Sequence, residues 1–161
     1  MAKVIHAPDS TDDLNKMSIF LAGTIGIDGG SPDWQKDITE KWDKFDVTFL
    51  NPRRPDWDEK FGSDEVIKQV KWELDAMDKA DVIIVNILDD SKSPITIAET
   101  YRHAGSRKLF VACSDKFYRY DNIKAVCEHY ESALFDSWEE LCEFMESHME
   151  DLIDLWEVSN T

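Results

Sequence analysis

A glutamate at position 99 stands where α/β proteins commonly place their chemistry. An apolar run without polar alternation, residues 82–88, predicts a strand that is covered on both faces. The polar sequence DDSKSP follows at 89–94, and helical spacing then begins, with Glu99 facing back toward that loop. Loops at the carboxyl ends of such strands carry the ligand sites of parallel sheets. We therefore predict that the Glu99 carboxylate acts on a ligand, the alternative being a solvated helix face.

A second acidic candidate, Glu73, lies on an earlier predicted helix. Gln69 precedes it by four residues, so the two side chains share one helix face. A solvated face is the simpler explanation for one glutamate on an acidic helix, and the residues alone leave both interpretations open.

Two further loops carry groups suited to anions or sugars. The sequence GTIG at 23–26 matches neither a dinucleotide fingerprint nor a P-loop. It fits a tight turn as well as a ligand loop in which Thr24 and nearby N–H groups donate hydrogen bonds. Arg53 and Arg54 form a basic pair just after a predicted strand. We expect a salt bridge for one of them, with the other free to contact an anionic ligand.

Composition limits the classes of function. The 161 residues carry a formal charge of −16, which repels a nucleic-acid backbone and excludes polymeric nucleic acid as a partner, although a small nucleotide remains compatible. There is no apolar run long enough for a membrane span and no apolar signal region, so we expect a cytoplasmic protein. The three cysteines lack CxxC spacing, and we predict neither a metal nor a cofactor.

Strands and helices alternate along the chain. We predict strands at 18–22, 47–50, 82–88, 108–113 and 132–135, with a further short edge strand at 4–8. The first predicted helix has Ser31 as N-cap and ends near residue 45, and the second has Ser63 as N-cap. The third follows the loop at 89–94 and ends near residue 105, and the last has Ser137 as N-cap. Residues 121–126 suggest only a short helical turn.

This alternation predicts one α/β domain over residues 1–161. The expected architecture is a flavodoxin-like three-layer sandwich, in which a five-stranded parallel sheet of order 2-1-3-4-5 has helices on both faces. Its ligand-binding edge would consist of residues 23–30, 51–58 and 89–94, where the strands end.

Six short motifs in order resemble the nucleoside 2-deoxyribosyltransferase-like family. They are IFLAGTI at 19–25, DWQ at 33–35, NPRR at 51–54, QVKWE at 69–73, ADVII at 80–84 and SPITIAE at 93–99. The resemblance implies the flavodoxin-like fold and cleavage of the N-glycosidic bond of a 2′-deoxynucleoside through a covalent intermediate.

The resemblance also assigns roles. Glu99 falls on the nucleophile of the family, and Glu73 falls where a second acidic residue, commonly Asp, lies near base and sugar. Another acid usually stands six residues before the nucleophile, where this chain has Ser93, so that Asp89 or Asp90 would have to replace it. The predicted catalytic residues are thus Glu99, Glu73 and Asp90. The predicted substrate-binding residues are Gly23, Thr24, Asp33, Asn51, Arg53, Arg54, Asp89, Ser93 and Asn122, the last as the counterpart of an asparagine that completes a neighbour's site.

The chemistry suits these residue types. Glycosidic cleavage passes through an oxocarbenium-like sugar, which one carboxylate can trap as an ester while a second acid assists the leaving base. The expected partners are a nucleoside or its 5′-monophosphate and a free base, in a homo-oligomer for which the C-terminal helix is a candidate interface. The sequence leaves open whether the sugar passes to another base, as in a transferase, or to water, as in a hydrolase. The alternative from another class is a binding module that holds a nucleotide-derived ligand without turnover.

Overall fold

Six parallel strands form the central sheet. In the computed structural model, which describes residues 1–25, 32–58 and 60–161, they are β1 (Lys3–His6), β2 (Ser18–Gly23), β3 (Thr48–Asn51), β4 (Val82–Asn86), β5 (Leu109–Ala112) and β6 (Ala133–Phe135). Their order is β1-β3-β2-β4-β5-β6. The predicted order 2-1-3-4-5 is therefore confirmed for β2 to β6. The sheet has six strands and not the predicted five, because the short edge strand predicted at 4–8 is present as β1 and joins the sheet by pairing in parallel with β3.

Five helices cover the two faces of this sheet. They are α1 (Trp34–Lys41), α2 (Ser63–Lys79), α3 (Pro94–His103), α4 (Tyr120–Tyr130) and α5 (Trp138–Ser159). The chain crosses from β2 through α1 to β3 on one side, and α2 then returns it to β4 on the other side of β2. The strand order thus reverses between β2 and β4, and the carboxyl ends of these two strands mark the crevice where such sheets bind ligands.

Two separate cores hold the three layers together. Side chains alternate along β2, so that Ile19 and Leu21 enter the core beneath α1 and α5, whereas Phe20 and Ala22 enter the core beneath α2, α3 and α4. All five strands from β1 to β5 contribute residues to these cores. The three cysteines are free and buried, with Cys113 and Cys127 in the second core and Cys142 in the first.

Several predicted helix boundaries needed correction. Asp33, not Ser31, is the N-cap of α1, and its Oδ1 accepts a hydrogen bond from the N–H of Lys36 at 3.1 Å. Ser31 lies outside the described residues. The same helix ends at Lys41 rather than near residue 45. Gly62 is the N-cap of α2, so Ser63 is its first helical residue and makes no capping bond. Ser137 does cap α5 as predicted, through the N–H of Glu140.

Helix α2 presents its apolar residues outward. The spacing of Val66, Ile67, Val70, Leu74 and Met77 predicted a helix, and the helix is present, but only Met77 is buried. The other four side chains are 42–50% exposed. The inward face instead carries Gln69, Ala76 and Met77, with Trp72 and Glu73 half-buried beside them. This helix therefore directs polar groups toward the sheet and leaves an apolar stripe on the surface.

Helix α4 is longer than the short turn that the sequence suggested. It runs for eleven residues and buries Ile123, Val126 and Cys127. The described helices include none with the length and apolar character that a bilayer crossing requires.

Candidate active site

Two helices on one face of the sheet carry the two glutamates. Glu73 lies on α2 and Glu99 on α3, and an ion pair between Arg102 and Asp78, 2.8 Å apart, joins these helices near the same level. Both glutamates are half-buried. Pro94 at the start of α3 fixes the first helical turn, so the position of Glu99 follows from where the preceding loop ends.

Both carboxyl groups have raised pKa values, and the charge of Glu73 contributes to the shift at Glu99. Burial, followed by the negative charge of Glu73, raises the pKa of Glu99 to about 8, and the charge of Arg102 opposes this rise. Burial also raises the pKa of Glu73, which the hydrogen bond from Gln69 partly offsets. Carboxyl groups that interact in this way release their protons in two steps that belong to the pair. At neutral pH the pair accordingly retains a proton.

Gln69 fastens Glu73 to the loop after β3. Its Nε2 donates to the carbonyl oxygen of Pro52 at 2.9 Å and to Oε1 of Glu73 at 3.0 Å. The predicted sharing of one helix face by Gln69 and Glu73 is thus a direct hydrogen bond. Trp72, next to them, donates its indole N–H to the carbonyl oxygen of Asp9 and packs against Phe20.

A closed circuit of hydroxyl groups lies at the reversal point between β2 and β4. The N–H of Leu88 donates to Oγ1 of Thr24, which is 2.8 Å from Oγ of Ser93, and Ser93 is 2.8 Å from Oγ of Ser91. Ser91 completes the circuit by donating to the carbonyl oxygen of Leu88 at 2.7 Å. If Thr24 donates to Ser93 and Ser93 donates to Ser91, every hydroxyl proton has an acceptor. The side chains of Thr24 and Ser93, both predicted to bind substrate, are therefore bonded to the protein itself.

This circuit sets the conformation of the loop that leads to α3. Ser93 has φ +44°, a left-handed conformation that is costly for a residue with a side chain, and it serves as the N-cap of α3 without a capping bond. Ser91 was not among the predicted site residues. Its only signal in the sequence was a serine two positions before Ser93 in a loop after a buried strand.

A glycine is required at position 23 because the neighbouring strand β4 passes close to its backbone. Its φ is +143°, and a Cβ at this position would lie 2.2 Å from the carbonyl oxygen of Asn86 on β4. Thr24, the next residue, donates its N–H to that same oxygen at 3.0 Å. Close approach of the two strands therefore explains this glycine. Gly26, which belonged to the same predicted loop, lies outside the described residues.

The end of β3 presents Arg53 toward α1. Asn51 is buried, and its Oδ1 accepts a hydrogen bond from the N–H of Arg53 at 3.0 Å. Nη1 of Arg53 lies 3.6 Å from Oδ1 of Asp33, and the buried Nε has no partner among the described residues. Three of the predicted substrate-binding residues, Asp33, Asn51 and Arg53, are thus brought together.

Arg54 has a structural environment instead. Its guanidinium contacts Asp56 at 2.9 Å and Glu65 at 3.3 Å, and it lies over the rings of Phe61 and Trp57. The side chain is almost fully buried by these contacts. Both arginines form ion pairs, Arg54 with Asp56 and Glu65 and Arg53 with Asp33, and not only one of them as expected. Arg53 in addition keeps a buried Nε without a partner among the described residues.

A cavity of about 600 Å³ lies at the carboxyl ends of β2, β4 and β5, on the side of α5. Asp89 and Asp90 line it, as does Thr24, but neither Glu73 nor Glu99 does. Oδ1 of Asp89 accepts a hydrogen bond from Ser114 at 2.6 Å, and Asp90 is exposed. The lining of this cavity therefore includes Asp89 and Asp90 but neither glutamate. We take the glutamates as the centre of the candidate site, because both are half-buried and the charge of Glu73 acts on Glu99.

The last of the predicted site residues, Asn122, lies outside these groups. Asn122 is an exposed residue in the first turn of α4. Trp34 is buried and donates its indole N–H to the carbonyl oxygen of Thr24, so it is a core residue. Among the described side chains, no three of the types His, Cys, Asp and Glu are grouped as a metal ion would need.

Comparison with known proteins identifies the family. The family model described as "Nucleoside 2-deoxyribosyltransferase like" matches residues 16–117, which span β2 to β5 and include both glutamates. The chain belongs to the nucleoside 2-deoxyribosyltransferase-like family. The resemblance predicted from the six motifs is confirmed. No curated protein matches the chain in sequence.

Membership in the nucleoside 2-deoxyribosyltransferase-like family suggests a related function with nucleoside-type small-molecule substrates. The matched region begins just before β2 and ends after β5, so it contains the reversal point of the sheet, the hydroxyl circuit, Arg53 and the carboxyl pair. These are the parts of the molecule from which a site for such a substrate would be built.

Proposed function

We propose that this chain cleaves the N-glycosidic bond of a 2′-deoxynucleoside or its 5′-monophosphate, with Glu99 as nucleophile. The observation that carries the proposal is a half-buried pair of interacting carboxyl groups, Glu73 and Glu99, in a member of the nucleoside 2-deoxyribosyltransferase-like family. Such a pair supplies both groups that glycosidic cleavage needs, a carboxylate for the sugar and a proton for the leaving base.

The reaction balances around one proton. The Glu99 carboxylate forms a bond to C1′ while the bond from C1′ to the base nitrogen breaks, and the base leaves with that electron pair. Glu73, which carries the proton of the pair when Glu99 is ionised, donates it to the departing base. Water or a second base then attacks C1′, displaces the Glu99 carboxylate and returns a proton to Glu73. Two displacements at C1′ retain its configuration.

The other proposed contacts come from the loops at the strand ends. Arg53, held by Asn51 and Asp33, has a free Nε and is the proposed contact for a 5′-phosphate. Thr24 and Ser93 hold the loop before α3 through the hydroxyl circuit, so their proposed role is to shape the ligand-binding edge beside Gly23. Asp89 and Asp90 would contact a part of the ligand that extends into the adjoining cavity. The proposed role of Asn122 is in the site of a neighbouring copy.

A direct assay tests this function. Each 2′-deoxynucleoside and its 5′-monophosphate is incubated with the protein, with and without a second base, and free base and exchanged nucleoside are separated chromatographically. We expect base release or exchange, and its loss in Glu99→Ala. Glu128→Ala, at an exposed glutamate of α4, is the matched control and should retain activity. If wild-type protein gives neither product, the enzyme proposal is refuted. Calorimetric binding without turnover would then favour the binding module, for which a protonated Glu99 at neutral pH is the supporting observation.

We further propose that two copies of the chain associate through the apolar stripe of α2, formed by Val66, Ile67, Val70 and Leu74. In an antiparallel contact between two copies, Asp64 in the first turn of one α2 would lie near Lys79 in the last turn of the other, which within its own chain also pairs with Asp12 and Asp75. Burial of this stripe would remove apolar surface from water beside Glu73.

Sedimentation of two variants tests this interface. Val70→Lys on α2 should produce a smaller species than wild type, because it buries a charge in the contact. Val158→Lys, at an exposed position of α5, should sediment like wild type. The opposite result would assign the interface to the C-terminal helix, and a wild-type monomer would refute association.

A further inference from the structure

The orientation of the Gln69 side-chain amide is fixed by its neighbours. The nitrogen Nε2 lies within hydrogen-bond distance of two acceptors, the carbonyl oxygen of Pro52 and Oε1 of Glu73. The opposite orientation would place the amide oxygen against the Pro52 carbonyl, which has no proton to donate. Both amide protons are therefore used, and Oε1 points to the other side of the group.

That amide oxygen is buried and has no donor among the described residues. Gln69 as a whole is only 9% exposed. A buried acceptor without a partner costs ~1 to 3 kcal/mol, so the folded protein retains it at the expense of stability. Because Glu73 lies one helical turn away, this unpaired acceptor is next to the proposed site of bond cleavage.

The position of Gln69 favours the base over the sugar as the donor. Gln69 and Glu73 share one face of α2 and are joined by a hydrogen bond, so a group that Glu73 protonates would lie close to the Gln69 amide. The base is also the part of a nucleoside that is attached to the breaking bond, and Glu73 is the residue proposed to protonate it.

We infer that Oε1 of Gln69 accepts a hydrogen bond from an N–H group of the bound base and thereby selects bases that present such a donor. This inference rests on the proposed function and assigns its specificity. A base without the donor leaves the buried oxygen unpaired in the complex, and a site built to bond such a group rejects analogues that lack it. The expected preference for the donor base is at least ~10-fold in binding.

Two matched ligand pairs test this preference at equilibrium. 2′-Deoxyadenosine is compared with purine 2′-deoxyriboside, which lacks the amino group, and 2′-deoxycytidine with the 2-pyrimidinone 2′-deoxyriboside. Binding is measured by calorimetry with Glu99→Gln, which prevents turnover, with and without the further substitution Gln69→Met. A third arm uses 2′,3′-dideoxyadenosine, which keeps the base donor and lacks the 3′-hydroxyl.

We expect the preference within at least one pair to disappear in Gln69→Met, with a binding ratio near one. A purely structural role of Gln69 in holding Glu73 would weaken both members of each pair equally and leave the ratio unchanged, and this result would overturn the inference. The inference would also be overturned if Gln69→Met weakened the binding of 2′-deoxyadenosine but not that of 2′,3′-dideoxyadenosine, because the partner of Gln69 would then be the 3′-hydroxyl. If the wild-type protein cleaves nucleosides while the ratios do not respond to Gln69→Met, only the inference fails. If no nucleoside binds, the proposed function fails with it.

Discussion

The charge of Glu73 on α2 acts on Glu99 on α3 and, together with the larger effect of burial, raises the pKa of Glu99 to about 8. A lone nucleophilic carboxylate would gain nothing from such a shift, because the protonated form does not attack. A pair that must present one charge and one proton at neutral pH does gain, since the proton is then retained where the base leaves. The following predictions test this and other relationships in the molecule.

The pH dependence of turnover distinguishes a shared proton from a lone nucleophile. In the wild type we expect kcat/KM to fall as pH rises through about 8, because the pair loses its proton there. In Glu73→Gln we expect ~100-fold lower activity that instead increases with pH, through a pKa below 8, because Glu99 alone must ionise and no longer feels the Glu73 charge. A wild-type rate that rises through pH 8 would contradict proton donation by the pair.

The same shift predicts how stability depends on pH. The folded-state pKa of Glu99 lies above its usual value of 4.5, so its contribution to stability is complete below that value and is lost as pH rises through about 8. Glu99→Gln removes this loss. We expect urea unfolding to show the variant more stable than wild type by ~3 kcal/mol at pH 9, with little difference at pH 4. Equal stability differences at the two pH values would show that Glu99 ionises normally.

Gly23, at the end of β2, and Gly62, the N-cap of α2, should differ strongly in how much stability they lose on substitution by alanine. Gly23→Ala would bring a Cβ to 2.2 Å from the Asn86 carbonyl oxygen, and we expect a loss of about 3 kcal/mol or more in the free energy of unfolding. Gly62→Ala has open space around the added Cβ and should cost only a few tenths of a kcal/mol. Denaturant unfolding of both variants checks this. A small effect at position 23 would mean that β2 and β4 can separate at low cost.

The adjacent arginines should separate stability from binding. Arg54→Met breaks the contacts with Asp56, Glu65 and two aromatic rings, so we expect a loss of ~2 kcal/mol in stability. Arg53→Met should change stability little, but should raise KM for a 5′-monophosphate ~10-fold relative to the free nucleoside. If KM rises equally for the monophosphate and for the nucleoside, Arg53 does not contact the phosphate.

The hydroxyl circuit predicts an effect of a serine that has no proposed ligand contact. Ser91→Ala removes one of two hydrogen bonds from the Leu88 carbonyl oxygen, which keeps the Ser91 N–H, and one of two from the Ser93 hydroxyl, which keeps Thr24. We expect a loss of ~1 kcal/mol in stability. Because the loop positions α3, kcat should fall more than KM changes. Ser147→Ala, at an exposed serine of α5 that bonds its own helix, is the control. If kcat is unchanged in Ser91→Ala, the hydroxyl circuit does not help to position Glu99.

Local patterns in the sequence were sufficient for the architecture. Continuous apolar runs fixed β2 and β4 as buried strands, and the alternation with helices led to the parallel order of β2 to β6. The strand at 4–8 was predicted, but its place in the parallel sheet was not, because Val4 is exposed and β1 pairs only with β3 at the sheet edge. The cap of α1 at Asp33 also escaped prediction, since two neighbouring residues have equally suitable side chains for a cap.

The orientation of α2 shows what periodicity leaves undetermined. The spacing of Val66, Val70 and Leu74 defines one face of a helix, but spacing alone does not say whether that face contacts the sheet. Gln69 points inward, where Pro52 and Glu73 accept its amide protons, and the contact with Pro52 forms only when α2 meets the loop after β3. The circuit of Thr24 with Ser91 and Ser93 likewise joins residues that are 67 and 69 positions apart, so its geometry could not be derived from local sequence.

The three buried cysteines can serve as probes of transient unfolding. Burial raises the pKa of Cys113 and Cys142 to about 12 and that of Cys127 to about 11, so none of them reacts with a thiol reagent while the fold is closed. Labelling must then await an opening event, and its rate measures how often one occurs. Since Cys113 and Cys127 lie beneath one helical layer and Cys142 beneath the other, the order in which they are labelled would reveal whether the two sides of the sheet open together.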